Sequence, residues 1–280
     1  MKNLFCLLGV FCTLFMFSQN NKLQKEKPQF TITYEVLYRP QENVKTYKKE
    51  YMILQTDGEK SVFYNGDLKK VDSLVGANSP LLTKDFVLPY LNFKVYKDLA
   101  NNTTMITGDF NQFRYVVKDD ETLSWKPINL PEEKIGNYKI RQSIADYGGR
   151  KWIASYATEL PIFDGPYVLK GLPGLIVTVI SEEGDYLFKM ISIVKNPKPK
   201  AIEIPKPNIK KQDIENKTQD FVKNPTHQNI SYTNVWGDVM YYDQSKSTPE
   251  QKKESDAKIT SILEKFNNPP NKNLPIINLY

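Results

Sequence analysis

The chain has 280 residues with 38 Lys or Arg, 32 Asp or Glu, one histidine and two cysteines, and a formal net charge of +6. So weak a positive bias gives no reason to expect a nucleic-acid partner, and one histidine argues against a zinc or copper centre. Its 40% hydrophobic content supports a packed core and sets it apart from disordered chains.

In chain order, Lys2 is followed by an apolar run from Leu4 to Phe17 and then by Ser18, Gln19 and Asn20, the pattern of a secretory leader. The expected division is a signal peptide over residues 1–19, cleaved near Ser18 or Gln19, and a single β-rich domain over 20–280. No later run approaches the ~20 apolar residues of a membrane-spanning helix, so none is expected in the mature chain. Cys6 and Cys12 both lie in the leader, which leaves the mature chain without disulfides. Phe5 and Phe11 precede them, where a lipid-modified cysteine needs a small residue. Periplasmic residence is expected rather than release or surface attachment.

Residues 30–38 (FTITYEVLY) alternate β-branched or aromatic residues with others and predict a strand. Residues 46–56, 61–64, 93–96, 103–107 and 113–117 repeat the pattern. Turn-rich tetrads such as Thr56-Asp57-Gly58-Glu59 separate them, predicting an antiparallel meander. A short helix is expected over 66–74. Residues 138–146 and 150–158 flank Tyr147-Gly148-Gly149, a paired-glycine signal for a tight hairpin. Residues 175–180 and 186–194 flank Ser181-Glu182-Glu183-Gly184-Asp185 and predict a second one.

Between the hairpins, residues 159–174 (ELPIFDGPYVLKGLPG) carry three prolines and three glycines, which predict a loop. Leu172-Pro173-Gly174-Leu175 fits a type II turn, proline presetting φ and glycine supplying positive φ. On that reading Gly174→Ala costs at least ~1 kcal/mol. Residues 195–211 read as a solvated Pro/Lys crossing. A helix is expected over 212–222, and Thr248-Pro249-Glu250-Gln251 is a capping-box start for another. Ile259, Ile262, Leu263 and Phe266 follow at helical spacing, Asn267-Asn268-Pro269-Pro270 ends it, and the last residues suit an edge strand. The fold class expected is therefore mainly β: a curved antiparallel sheet or half-barrel with a few helices packed against it.

Gly171 to Ile176 (GLPGLI), Gly165-Pro166 before it, the hairpin through Gly148, Gly149, Arg150 and Trp152, and Thr158-Glu159-Leu160-Pro161 together resemble the GLPGLI family of Bacteroidota envelope proteins. That family is mostly without an assigned function. It is similar to the bowl-like N-terminal domain of one class of peptide:N-glycanases, a domain that is not the catalytic one. The resemblance implies a curved β-rich fold and a binding or accessory role, and carries over no catalytic residue. Gly165, Pro166, Gly171, Leu172, Pro173, Gly174, Leu175 and Ile176, with Gly148 and Gly149, form the structural motif.

His227 has no nucleophile motif around it, and Met52, Met105, Met190 and Met240 are dispersed as core residues are. Carboxylates in 182–185 and 119–121 sit at expected turns. The loop over 159–174 is the stretch with a surface role to offer. Its binding candidates are Phe163, Asp164, Tyr167, Lys170 and Leu172, with Arg150 and Trp152 from the hairpin; the competing reading has these side chains fold under and close the core. The expectation is a non-enzymatic protein, without metal or cofactor, that binds a small apolar ligand or an envelope protein. The alternative is a hydrolase, or a hydrolase accessory, acting on glycans or peptides.

Overall fold

The computed structural model describes residues 28–67, 89–110, 113–223, 230–233, 239–242, 248–265 and 267–273. The strands are β1 (Phe30–Tyr38), β2 (Lys48–Thr56), β3 (Lys60–Asn65), β4 (Lys94–Asp98), β5 (Thr103–Phe110), β6 (Phe113–Asp119), β7 (Lys126–Ile135), β8 (Tyr138–Tyr147), β9 (Arg150–Ala157), β10 (Leu175–Ser181) and β11 (Tyr186–Lys195). These eleven form one open antiparallel sheet in the order β6-β5-β4-β3-β2-β1-β11-β10-β9-β8-β7. The fold is thus mainly β.

The order describes two meanders sharing a centre. The first runs from β1 outward to the edge strand β6. The chain then crosses to the opposite edge, and the second meander returns from β7 until β11 pairs with β1. Only residues 120–125 link the two edges. Such a link spans at most about 25 Å, whereas eleven strands laid flat are about 48 Å wide. The sheet is therefore curled, its edges near each other but unpaired.

Alternation decides which side chains enter the curl. Ile32, Tyr34, Val36 and Tyr38 of β1 face inward with Met52 and Leu54 of β2, Phe63 of β3, Val95 of β4, Trp152 and Ala154 of β9 and Phe188 of β11, all buried in one core. The two expected hairpins are present. Tyr147 pairs with Arg150 across Gly148 (φ 63) and Gly149 (φ 70), and Gly184 (φ 76) lies in the turn between β10 and β11.

Both edges are guarded. Asn208 covers β6, its N–H donating to Val116 O at 3.0 Å while its Oδ1 accepts the Val116 N–H at 2.8 Å. The Pro/Lys crossing thus has a structural task. At the other edge, β7 is a strand that the sequence reading did not foresee, because Pro127 and Pro131 argue against one. An edge position tolerates them, since an outward N–H has no ladder partner to lose, and the register shifts between Ile128 and Glu133.

Helix α1 (Lys211–Lys223) buries Ile214 in the core. Helix α2 (Pro249–Lys265) begins with the expected capping box: Thr248 N–H donates to Gln251 Oε1 at 2.9 Å and Gln251 N–H to Thr248 Oγ1 at 3.2 Å. A small hairpin of β12 (Ile230–Thr233) and β13 (Val239–Tyr242) was not anticipated. The expected leader, His227, most of the helix expected over 66–74, the final strand and the side chains of Ile259, Ile262, Leu263 and Phe266 lie outside the described residues. No described helix is long and apolar enough to cross a membrane.

Candidate functional site

The segment between β9 and β10 is a loop, as its prolines and glycines require, and it enters the curl rather than hanging from it. Ile162, Tyr167, Val168, Leu169 and Leu172 all belong to the main core. Its backbone is tied at several points. Leu175 N–H donates to Leu160 O, Ile176 N–H to Asp164 O and Gly171 N–H to Phe163 O, each at 3.0 Å. Tyr167 holds φ 55, a left-handed conformation that costs a non-glycine residue about 1–2 kcal/mol. Its ring packs edge-on against Phe93 and Tyr147, which keeps it there.

The turn at Pro173 differs from the expected type II turn. Gly174 N–H donates to Leu172 O at 2.8 Å, two residues back, which makes a γ-turn centred on the proline. Gly174 has φ +154, and a Cβ there would stand 2.2 Å from Ala157 O. The glycine is thus required by the close approach of β9 as well as by its own φ. Gly165 is crowded in the same way, a Cβ there meeting Ile176 at 2.7 Å, whereas Gly171 (φ +87) faces open space.

Polar groups pin the loop to the far wall of the curl. The ammonium of Lys97 on β4 lies 2.5 Å from Asp164 Oδ1 and donates to Gly165 O at 2.6 Å, both side chains being fully buried. Lys170 Nζ donates to Thr104 Oγ1 of β5 at 2.9 Å, and Trp125 Nε1 donates to Lys170 O at 2.8 Å. Burial, and then the nearby charge of Lys97, lower the Lys170 pKa to about 8.

The one large apolar side chain that the loop leaves at the surface is Phe163, 56% exposed. With Lys170, Gly171, Leu172 and Pro173 it forms one wall of an open cleft of about 450 Å³. The turns after β2 (Gly58, Glu59) and after β4 (Leu99, Ala100, Asn102) form the other wall. Leu99 N–H donates to Glu59 O at 2.7 Å, so the two turns hold each other.

Arg150 lies elsewhere, in a clip. Its Nη1 donates to Glu183 and to Asp185 Oδ2, its Nη2 to Asn268 Oδ1 and to Pro269 O, and its Nε also to Pro269 O. All five guanidinium donors are thus engaged within the chain, and the guanidinium stacks over Tyr186. Asn268 is further held by Tyr186, whose hydroxyl donates to its carbonyl at 2.6 Å. An open polar cleft of about 490 Å³ beside the clip is lined in part by Glu121, Asp146, Lys151, Glu182 and Glu183.

The structure therefore divides the seven binding candidates. Phe163, Lys170 and Leu172 meet at one cleft. Asp164, Tyr167 and Trp152 are buried in the core, and Arg150 joins both hairpins to residues 268–269. Sequence reasoning did not pick out Lys97, which sits as an inward residue of a strand that otherwise reads as ordinary. It also took 267–270 only as a helix stop, where Asn268 and Pro269 receive Arg150. The turn residues of the cleft carried no signal beyond that of a turn.

Comparison with models of protein families and with curated protein sequences gave no match. Among solved structures, PNGF-II in its C2 crystal form is similar with a TM-score of 0.45 and 17% identity, covering 63% of this chain and 28% of that one. Its P21 form gives 0.44 and 18%, over 63% and 29%. The chain thus spans less than a third of the length of PNGF-II, and a likeness of this degree identifies neither a family nor an activity.

Proposed function

We propose that the protein is an exported, non-enzymatic envelope protein that docks a partner protein at the cleft around Phe163. The observation that carries this reading is the contrast within one loop. Tyr167, Leu169 and Leu172 are buried, the backbone is tied by hydrogen bonds at several points, and yet Phe163 is left 56% exposed. A rigid loop that presents an aromatic ring has little ordering cost left for binding.

The cleft is open and shallow, which suits an extended segment of another protein better than a small apolar ligand, since small-ligand sites usually enclose most of the ligand. The resemblance of residues 171–176 and the preceding hairpin to the GLPGLI family, and the leader-like start of the chain, support an envelope setting, with periplasmic residence.

The test is native mass spectrometry of the wild type and Phe163→Ser, each isolated from the cell envelope of the producing organism. A protein partner should accompany the wild type and be lost from the variant, while the two melt at the same temperature. A dissociable lipid-sized mass would assign the cleft to a small apolar ligand instead. Bare masses for both would overturn the binding reading and turn attention to hydrolysis of glycans or peptides.

A further inference from the structure

Lys97 and Asp164 play no part in the cleft, and their hydrogen bonds do not balance as an ion pair. Both side chains are fully buried. Asp164 Oδ1 receives the Lys97 ammonium at 2.5 Å and the Gly165 N–H at 2.8 Å, while Oδ2 has no partner among the described residues. The ammonium has three N–H groups but, among the described residues, two acceptors, Asp164 Oδ1 and Gly165 O. Two opposite charges are thus held out of water with one oxygen unsatisfied, an arrangement that costs several kcal/mol per ion before their attraction offsets it.

We propose that Lys97 and Asp164 condense into a side-chain amide that cross-links β4 to the loop. The ammonium first passes a proton to the carboxylate, where it resides on Oδ2 so that Oδ1 stays unprotonated, giving a neutral amine and a carboxylic acid. Burial favours this direction by lowering the affinity of Lys97 for its proton. The Nζ lone pair then attacks Asp164 Cγ and forms the N–C bond. The Cγ–Oδ2 bond breaks, and Oδ2 leaves with the acid proton and one amine hydrogen as water. No oxidant or reductant enters, and atoms and charge balance. The Gly165 N–H on Oδ1 stands where negative charge develops during the attack, and stabilises it.

The product satisfies every group that the ion pair leaves in doubt. Oδ1 becomes the amide carbonyl and keeps the Gly165 N–H. The remaining hydrogen on Nζ donates to Gly165 O. The unpartnered Oδ2 is gone, and no charge stays buried. In a mature chain expected to hold no cysteine, the bond would restrain the unfolded state as a disulfide does.

The experiment is tandem mass spectrometry of tryptic peptides from the purified, fully denatured protein. The expected result is a peptide joining Lys97 to Asp164, lighter by one water than its two parts together and absent from Lys97→Met. Separate wild-type peptides at full mass overturn the proposal, and this holds whether or not the variant folds. Loss of one water that persists in Lys97→Met overturns it too, because it then reports a cyclic imide at Asp164-Gly165.

Discussion

Gly171 and Gly174 lie three residues apart in one loop, and an added methyl group separates their roles. At Gly171 the methyl would meet only open space, so the cost of Gly171→Ala is that of positive φ alone, about 1 kcal/mol. At Gly174 it would collide with Ala157 O, so β9 and β10 must separate and the cost of Gly174→Ala should reach about 3 kcal/mol. Urea unfolding of the two variants checks the order. Equal losses would contradict the close approach of Ala157 O to Gly174. The glycines were legible in the sequence as turn residues, but the approach of Ala157 was not, because it depends on the β9–β10 pairing. Arg150→Lys should cost about 2–3 kcal/mol, discounted for the exposure of Glu183, because one ammonium cannot replace a fork shared among four residues. Chemical denaturation reads this loss, and a change under 1 kcal/mol would deny the clip its role.

At the scale of elements, the ends of strands and helices were the most readable features. Gly148-Gly149 and Thr248-Pro249-Glu250-Gln251 act through neighbours in sequence, and the structure realises both. Thr248→Ala should therefore destabilise α2 by about 1 kcal/mol and speed hydrogen exchange in its first turn, leaving exchange in β9 unchanged. Strand β7 was missed for a related reason. Its prolines are poor strand residues in general, and only its edge position makes them acceptable. The Pro/Lys crossing likewise read as solvated chain, whereas Asn208 completes the edge of β6. Asn208→Ala should expose the Val116 N–H, which hydrogen exchange will show directly.

For the molecule as a whole, the curl brings ionisable groups from distant parts of the chain into the same interior. Burial lowers the Lys170 pKa to about 8, below the usual lysine value of 10.5. Between those values the unfolded chain binds more protons than the folded one, so stability attributable to this group rises as pH climbs through the window. Denaturant unfolding at pH 7.5 and pH 10 (about the two ends of that window) should show wild type gaining stability relative to Lys170→Met, and an unchanged difference would refute the shift. Glu50 is also pushed toward its neutral form by burial, although Tyr38, Asn65 and the backbone of Tyr90 and Leu91 donate to it. Its raised pKa acts in the opposite pH sense: stability is greatest below the usual carboxylate value and falls as pH rises through the raised one.

The sequence by itself determined the alternation of the strands, both central hairpins, the loop between them and the start of α2. Each of these depends on residues close together in the chain, where φ preferences, side-chain period and capping chemistry act directly. Tertiary structure alone decided which loop residues face outward. Phe163 and Tyr167 are both aromatic and four positions apart, yet one is exposed at the rim of a cleft and the other is fully buried. The difference follows from the short link between the sheet edges, which forces the curl, and from the contacts of β4 and β5 with the loop inside it. Pairings between residues so far apart in the chain leave no local pattern to read, and they set both the cleft and the juxtaposition of Lys97 with Asp164.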